Sequence, residues 1–316
     1  MGKVGGSRNF GFGKQLEWAG MNALADRFGQ GHYGTQASHA DRWVQFAQYA
    51  KSSGIKDARD VDLALVRSYA SRLRNNVLAG KTSVAYAQNL LSTINVVLET
   101  MRADRKVRVS PSCLVGERST VRTNAPVGLD RGLLHRASDA LLTRNEQRVE
   151  AVAQLARELG LRFREASLLD ARAALDQAHR LGQINITEGT KGGRGREIDR
   201  WIPVNTRALM ALESAALLQV GARNVIPESM TFVQWRNHAY AVWTDVAAET
   251  GLKGFHDLRA AYACERYQTL TGFQAPVLAK ERLAAKSADV AARVVIAREL
   301  GHGRIDVVVA YVGSAA

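Results

Sequence analysis

A mainly α-helical protein with one small β-hairpin, arranged in two domains, is the fold class that the sequence predicts. Apolar residues recur at helical spacing in four segments between residues 14 and 102. A short β-like patch at 183–204 surrounds a glycine-rich turn, as is typical of a hairpin. Between these regions, residues 101–126 are basic and contain Pro111 and Pro126, which interrupt regular structure. We therefore expect a small helical domain, a basic linker and a larger α+β domain.

Four helices with short connections are predicted to form the first domain, residues 14–104, after a flexible, glycine-rich basic arm at 1–13. Thr35 is the predicted N-cap of the second helix, which ends at Gly54. Asp60 opens the third helix, which ends at Gly80, and Thr82 or Ser83 opens the fourth. The four apolar faces consist of Leu16, Met21, Leu24 and Phe28; of Trp43, Phe46 and Tyr49; of Leu63, Val66, Tyr69 and Leu73; and of Tyr86, Leu90, Ile94 and Leu98.

The second domain is predicted to span residues 127–316, behind a basic interdomain linker at 105–126. Composition alone equally allows this linker to be a solvated loop without a partner. Helical character resumes near residue 130, and the predicted hairpin turns at Lys191-Gly192-Gly193-Arg194-Gly195. The residues that flank the turn with β-like character are Ile184, Ile186, Ile198, Trp201 and Ile202.

Composition limits the classes of protein that the chain can represent. Apolar residues make up 46% of the sequence, and no apolar run approaches the roughly 20 residues that cross a bilayer. The N-terminus lacks the apolar core of a signal peptide, and two cysteines are too few for a disulfide scaffold or a four-cysteine zinc site. We therefore expect a cytoplasmic location.

The net charge of +13 favours a polyanionic partner, because basic side chains that neutralise phosphates release counterions. Residues 1–120 hold 17 basic and 9 acidic side chains, and the rest of the chain holds 26 and 21. Both halves are therefore basic. Charge alone leaves a ribosome-associated or merely basic protein equally open.

Four local clusters carry side chains suited to phosphate chemistry, and each has an ordinary structural interpretation when taken alone. An Arg and a Glu three residues apart are a common ion pair on a helix, and a basic glycine turn is often a solvated hairpin tip. A lone histidine is more often a satisfied interior residue, and a late tyrosine is usually a packing residue. In chain order the clusters are Arg162 with Glu165; Lys191 with Arg194, Arg196 and Arg200; His256 with Arg259; and Leu300-Gly301-His302 with Tyr311.

Taken in this order, the clusters resemble the signature of the tyrosine recombinases, the family of phage and mobile-element integrases. That signature is an Arg with a nearby acid, a hairpin Lys, a His-x-x-Arg, a Leu-Gly-His and a late Tyr. The resemblance is clear over residues 130–316, and the helices of 14–102 more loosely resemble the family's core-binding domain. It implies a two-domain architecture with an N-terminal helical core-binding domain and an α+β catalytic domain.

The resemblance implies cleavage and rejoining of DNA strands through a 3′-phosphotyrosine at Tyr311. Two guanidiniums, Arg162 and Arg259, suit the nonbridging oxygens of the attacked phosphate, and His302 would donate a further hydrogen bond to it. By resemblance, Lys191 protonates the leaving 5′ oxygen as a general acid, and His256 helps to deprotonate or orient the tyrosine. Glu165 would orient Arg162, whereas Arg164 points elsewhere on the helix. No cofactor and no metal are implied.

The implied partner is double-stranded DNA at a recombination site, gripped by the N-terminal helices and the catalytic domain from opposite faces. The basic residues expected to contact DNA are Arg102, Arg105, Lys106, Arg194 and Arg196. The expected assembly is a homotetramer in the synaptic complex, with DNA-bending proteins as possible accessories. Integration or excision of a mobile genetic element is favoured over a chromosome-dimer resolvase or an invertase of the same chemistry. The remaining alternatives are a type IB topoisomerase, a non-catalytic DNA-binding relative and a metal-dependent nuclease that uses His256 and His302.

Two features depart from the family pattern. The stretch between Arg259 and His302 is longer than in compact members, and its residues 272–298 are interpreted either as an inserted helix for protein contacts or as a surface elaboration. The sequence also ends five residues after Tyr311, where many relatives add a helix that packs into a neighbouring protomer. Protomers would then communicate through another element, such as 272–298, unless the sequence is shortened.

Overall fold

The computed structural model describes residues 7–190, 195 and 197–314, and divides the chain into two compact units, residues 1–119 and 120–316. Its mainly helical architecture, with one small antiparallel sheet, confirms the predicted fold class. None of the helices in the described part of the chain has both the length and the apolar character needed to span a bilayer.

The first unit is a helical bundle whose core lies between four long helices. Its helices are α1 (Leu16–Phe28), α2 (Tyr33–Ser52), α3 (Leu63–Leu78), α4 (Val84–Arg102) and the short α5 (Pro111–Val115). Trp43 and Phe46 are fully buried at the centre, and the Trp43 indole donates a hydrogen bond to the carbonyl of Leu16 at 3.0 Å. Gly20 lets this ring approach α1, since any larger residue there would overlap the indole.

Two of the predicted helix starts are wrong by a few residues. The second helix begins at Tyr33, so Thr35 lies inside it. The third begins at Leu63, because the carboxylate of Asp62 accepts a hydrogen bond from the Leu65 amide at 2.8 Å and so caps the helix. Asp60 instead ends a separate 3-10 turn. At the fourth helix Ser83 is the N-cap, one of the two predicted residues.

Both segments predicted to be unstructured contain ordered parts that belong to the first unit. In the N-terminal arm, Asn9 is buried, and its side chain accepts a hydrogen bond from the Ala58 amide at 2.7 Å. In the basic segment after α4, Val107, Val109 and Val115 are buried in the core of the unit. Its boundary with the second unit falls between residues 119 and 120, and the functional division of the chain at 105 and 127 stays a prediction.

The second unit consists of helices and one small two-stranded sheet. Its helices are α6 (Arg131–Thr143), α7 (Gln147–Glu158), α8 (Phe163–Leu168), α9 (Ala171–Leu181), α10 (Thr206–Leu217), α11 (Phe232–Thr250), α12 (Phe255–Thr271), α13 (Pro276–Ala279), α14 (Lys286–Glu299) and α15 (Val309–Val312). Strands β1 (Gln183–Asn185) and β2 (Trp201–Pro203) pair antiparallel, with Ile184 opposite Ile202, inside the predicted hairpin.

The stretch interpreted as an insertion, residues 272–298, is part of the core of this unit. Helix α14 packs against α12, and its residues Ala292 and Ile296 are buried. On the same helix, the buried Asp289 accepts hydrogen bonds from Arg293 at 2.9 Å and from the Tyr267 hydroxyl at 2.8 Å. Arg293 in turn donates to the carbonyl of Gly313 at 3.0 Å. The stretch therefore supports the chain on both sides of Tyr311 rather than decorating the surface.

Candidate active site

Four short segments of the second unit bring the predicted site residues together. Arg162 is the N-cap of α8, and Glu165 lies in the first turn of that helix. The His256-x-x-Arg259 motif occupies the first turns of α12, the turn after α14 carries His302, and α15 carries Tyr311. These segments are far apart in the sequence, but their side chains are in direct contact.

Arg259 is fully buried at the centre of the site. Its guanidinium donates hydrogen bonds to the carbonyls of Gly160 and Leu300, and its Nε lies 3.4 Å from the Tyr311 hydroxyl oxygen. Burial, and secondly the nearby Arg162, lower the pKa of Arg259 to about 10, so the group is still a cation at neutral pH. A buried cation whose donors are fixed by backbone carbonyls is preorganised for an anion.

Gly160 allows this arrangement through its backbone conformation. Its φ of +61° is in the left-handed region, and a Cβ there would lie 2.5 Å from the ring of Tyr262. A glycine at this position lets the chain turn sharply into α8, and its carbonyl then faces Arg259.

Glu165 is fully buried among three guanidiniums. One carboxylate oxygen, Oε1, lies 2.5 Å from Arg162 Nη1 and 2.8 Å from Arg200 Nη1, and Oε2 lies 3.6 Å from Arg259 Nη1. Oε2 also accepts a hydrogen bond from the Arg162 amide at 2.8 Å, which closes the first turn of α8. Burial alone raises the pKa of Glu165, but Arg200, Arg162 and Arg259 outweigh it and hold the pKa below its ordinary value.

Tyr311 is only 3% exposed, and its ring lies between two histidines. His302 Nε2 is 3.1 Å from the Tyr311 hydroxyl oxygen, and the His256 ring centre is 5.3 Å from the Tyr311 ring centre. Burial, then Arg259, lower the pKa of both imidazoles, that of His302 to about 4. Both rings are therefore neutral at neutral pH, and the predicted contact of His256 with the phenol is made here by His302.

Two residues that the sequence analysis did not single out fix the start of α12 and the tyrosine segment. The buried carboxylate of Asp257 pairs with Arg122 and accepts a hydrogen bond from the Gly128 amide at 2.9 Å. The Arg122 amide donates to the carbonyl of Val309, at the start of α15, at 2.9 Å. The segment before α6 thus holds together the two elements that carry His256 and Tyr311. The sequence offered little sign of either residue. Arg122 lies in the basic segment 101–126, and Asp257 is the acid inside the His-x-x-Arg motif.

The third missed residue is Arg200, which the sequence analysis grouped with the basic hairpin turn. Its side chain is 5% exposed and lies against Glu165, inside the site. The hairpin residues Lys191, Arg194 and Arg196 lie outside the described residues.

Three predicted DNA-contacting residues lie in the first unit, and acids of that unit accompany each of them. Arg102 Nε is 3.2 Å from Asp104, and its guanidinium also stacks over the Phe10 ring. The exposed Arg105 lies 3.6 Å from Glu99, and Lys106, also exposed, donates its amide to Asp104 at 2.9 Å. Arg105 and Lys106 therefore present charge to solvent, whereas the guanidinium of Arg102 is occupied by its contacts with Asp104 and Phe10.

The described side chains suit nucleophilic attack by a phenol on a phosphodiester. Guanidiniums can neutralise charge on the phosphate, and a neutral imidazole on the phenol can accept its proton. Within the described ranges, no three His, Cys, Asp or Glu residues are grouped so that they could hold a metal ion.

Comparisons with known proteins find a family model and solved structures of integrases. Residues 120–265 match the family model described as Integrase. The structure of the Tn1549 transposon integrase in complex with transposon right end DNA is similar at a TM-score of 0.61 and 13% identity, over 93% of this chain and 95% of that one. A lambda integrase dimer bound to a COC′ core site is similar at a TM-score of 0.58 and 15% identity, over 93% of this chain and 95% of that one. A lambda integrase tetramer bound to a Holliday junction is similar at a TM-score of 0.56 and 14% identity, over 94% of this chain and 75% of that one.

At these identities the structural likeness establishes the fold, and the family model adds a match over residues 120–265. No curated protein matches the sequence significantly. Residues 120–265 therefore resemble the Integrase family, and the fold of the chain is that of the solved integrases.

Proposed function

We propose that this protein cleaves and rejoins DNA at a specific site through a 3′-phosphotyrosine at Tyr311, and so integrates or excises a mobile genetic element. The observation that carries the proposal is the position of the Tyr311 hydroxyl, 3.1 Å from His302 Nε2 and 3.4 Å from Arg259 Nε. A nucleophile in contact with both a neutral base and a cation is placed for attack on a phosphate.

In the proposed cleavage step, the Tyr311 oxygen attacks the scissile phosphorus and the bond from phosphorus to the 5′ oxygen breaks. Arg162 and Arg259 neutralise the nonbridging oxygens, and Glu165 holds Arg162 in place. Lys191 gives the leaving 5′ oxygen its proton, a role supported by the family resemblance. The 5′-hydroxyl of a partner strand then attacks the phosphotyrosine, which restores the phosphodiester without an external energy source.

The proton of the Tyr311 hydroxyl passes to an imidazole. From the sequence we assigned this role to His256, and a hydrogen bond to the phosphate to His302. The hydrogen bond between His302 and Tyr311 supports His302 as the group that orients the phenol before DNA binds. His256 is then the neighbour that takes over when His302 turns to the phosphate.

The proposed partner is duplex DNA, and the proposed assembly at the exchange step is a homotetramer, with or without DNA-bending proteins. The similar lambda integrase structure, a tetramer bound to a Holliday junction, supports this assembly. The surface residues Arg105 and Lys106 are the proposed phosphate contacts of the first unit, together with Arg194 and Arg196 of the hairpin. The two free cysteines are compatible with a reducing cytoplasm, which we include in the proposal.

Covalent trapping tests this function directly. The protein is incubated with fragmented host DNA in EDTA and denatured in SDS, and any DNA that stays attached is sequenced. We expect attachment at one discrete sequence for the wild type and none for Tyr311→Phe. Attachment at scattered positions would favour a topoisomerase, whereas tight binding without attachment would favour a non-catalytic DNA-binding protein.

Two neighbouring arginines provide a matched pair of variants. Arg162→Ala should abolish cleavage and leave DNA affinity within a few fold, because the guanidinium acts at the reacting phosphate. Arg164→Ala is the control. Arg164 lies in α8, the helix that Arg162 caps, and its guanidinium stacks over the Phe232 ring, 5.3 Å from the ring centre. Near-normal cleavage by Arg162→Ala would contradict the assignment.

A further inference from the structure

Arg200 is a buried cation that the proposed reaction does not yet use. It directly precedes β2, and its backbone is fixed there: its amide donates to the Asn185 side chain at 2.8 Å, and its carbonyl accepts from the Ile186 amide at 3.0 Å. The sheet thus places this residue, and its side chain leaves the hairpin for the interior of the unit.

The guanidinium of Arg200 lies between two parts of the active site. Its Nε donates to the carbonyl of Glu299 at 2.7 Å, at the end of α14. A Cβ on Gly301 would lie 3.1 Å from Arg200 Cδ, so the arginine packs directly against the turn that carries His302. On its other side, Nη1 is 2.8 Å from Glu165 Oε1, the distance of an ion pair but without the angles of a hydrogen bond.

Neither terminal nitrogen of Arg200 has a hydrogen-bond partner among the residues that the structure describes. Buried guanidinium groups normally satisfy their donors, so this group is unusual in the interior of a folded protein. The carboxylate of Glu299 does not compensate it, because that group accepts from Arg266 and from the Tyr262 hydroxyl.

The charges in the cluster do not balance. Arg162, Arg200 and Arg259 surround one carboxylate, Glu165, which leaves an excess of two positive charges. The nearby carboxylate of Asp257 is already paired with Arg122. A phosphodiester carries one negative charge, whereas the pentacoordinate transition state of tyrosine attack carries two. The excess positive charge of these arginines therefore stabilises the transition state more than the bound substrate, which is the condition for catalysis.

We propose that Arg200 is a positioning residue of this site, which anchors Glu165 and the His302 turn and supplies positive charge that stabilises the transition state more than the bound substrate. The inference rests on the proposed function. Without Arg200 the transition state, which carries two negative charges, loses more stabilisation than the bound phosphodiester, which carries one. Loss of the residue should therefore slow cleavage and leave DNA affinity almost unchanged.

The test uses the full chain and a duplex of the sequence captured by covalent trapping, with either a phosphate or a neutral methylphosphonate at the scissile position. Arg200→Met should form the covalent complex about 100-fold more slowly than the wild type on the phosphate duplex. A methylphosphonate removes one negative charge from the transition state, so the same variant should come within about threefold of the wild type on that duplex.

Arg266→Met is the matched control, because Arg266 binds the carboxylate of the same Glu299 from outside the charge cluster. Its rate relative to the wild type should be the same on both duplexes. Arg200→Lys keeps the charge, so it should lose less than about tenfold, equally on both duplexes, and it serves as the test if Arg200→Met fails to fold.

A defect of Arg200→Met that is equal on both duplexes would overturn the inference, and so would a normal rate on the phosphate duplex. A loss above about 100-fold for Arg200→Lys on both duplexes would also overturn it, since geometry and not charge would then decide the rate. All three results leave the proposed function intact if the wild type forms the adduct. Absence of any wild-type adduct would instead refute the proposed function.

Discussion

Replacing Glu165 by Gln removes one negative charge from the middle of three guanidiniums and leaves the size of the side chain nearly unchanged. The carboxylate lies 2.5 Å from Arg162 Nη1 and 2.8 Å from Arg200 Nη1, and it accepts the Arg162 amide at 2.8 Å. A glutamine keeps one acceptor oxygen for these donors, but its NH2 group must face another donor.

The cost follows from the burial of the arginines. Removing one partner of a buried ion pair costs about 3–5 kcal/mol, because the remaining charge is left uncompensated. The Arg162 side chain is 27% exposed and is partly screened by water, whereas those of Arg200 and Arg259 are 5% and 1% exposed. We therefore expect Glu165→Gln to lower the free energy of unfolding of the second unit by about 3 kcal/mol.

Urea unfolding followed by circular dichroism at neutral pH measures this difference. Glu249→Gln is the control in the same unit, since the pair of Glu249 with Arg144 is exposed on both sides. An exposed pair is screened by water and contributes little, so this control should unfold almost like the wild type. Equal stability of Glu165→Gln and the wild type, within about 0.5 kcal/mol, would refute the reasoning.

The pH dependence gives a second check on the same variant. Because the surrounding arginines outweigh the effect of burial, the pKa of Glu165 in the folded protein lies below its ordinary value of 4.5. Its stabilisation is then complete above the pKa of the unfolded chain and is lost as the pH falls through the folded pKa. The difference in unfolding free energy between the wild type and Glu165→Gln should shrink on acidification, and a difference that grows would contradict the cluster.

Three further predictions concern other parts of the molecule. His302 should titrate near pH 4 in the DNA-free enzyme, measured by NMR of its ring proton and assigned with His302→Gln, because burial and then Arg259 lower its pKa to about 4. Ellman's reagent should modify one thiol per native chain and two in denaturant, since Cys113 is exposed and burial raises the pKa of Cys264 to about 12. Gly20→Ala should lower the free energy of unfolding of the first unit by about 1–3 kcal/mol in urea, because its methyl group would overlap an indole.

Each of these has a contradicting result. A midpoint for His302 near its ordinary value of 6.5 would mean that the ring is neither buried nor close to the guanidiniums. Rapid reaction of both thiols in the native protein would contradict the buried position of Cys264. For the glycine, Gly34→Ala is the control, since Gly34 lies in α2 with open space around it and alanine is the better helix former. Equal stability of both glycine variants would contradict the close contact in α1.

Local signals in the sequence predicted much of the fold. The apolar stripes predicted four helices that the structure contains, and the Gly-rich turn predicted the hairpin of β1 and β2. The starts of helices were less predictable, because Asp57, Asp60 and Asp62 are all candidate caps within six residues. Only contacts settle the choice: Asp57 caps the start of a 3-10 turn, and Asp62 caps α3.

The candidate site shows the same limit at longer range. Motifs identified Arg162, Glu165, Arg259, His302 and Tyr311, and the structure brings these residues into contact. The role of Arg200 depends on Glu299, which is 99 residues away in the chain. Periodicity and spacing describe local geometry alone, so a buried arginine beside a basic turn cannot be distinguished from a solvated one.

The prediction for the basic segment after α4 was wrong for a different reason. In the run Lys106-Val107-Arg108-Val109 the apolar residues alternate with charged ones, and the positive charge suggested a solvated linker. The alternation was the better signal, because the valines face the core and Asn95 holds the backbone of Val109 through hydrogen bonds of 2.8 and 3.0 Å. The charge of this run comes from side chains that lie beside the valines and gives no information on which residues enter the core.

The electrostatics of the site also bear on when Tyr311 becomes reactive. In the DNA-free protein, burial and the guanidiniums hold His302 neutral, with a pKa of about 4, so the imidazole is a weak base. A phosphate placed among Arg162, Arg200 and Arg259 brings negative charge close to the ring, which favours its protonated form and raises its pKa. In the proposed reaction a protonated His302 can donate to the phosphate, and His256 is then the imidazole that accepts the proton of the phenol. In the proposed reaction, the positive charge that stabilises the transition state thus also keeps His302 neutral until DNA is bound.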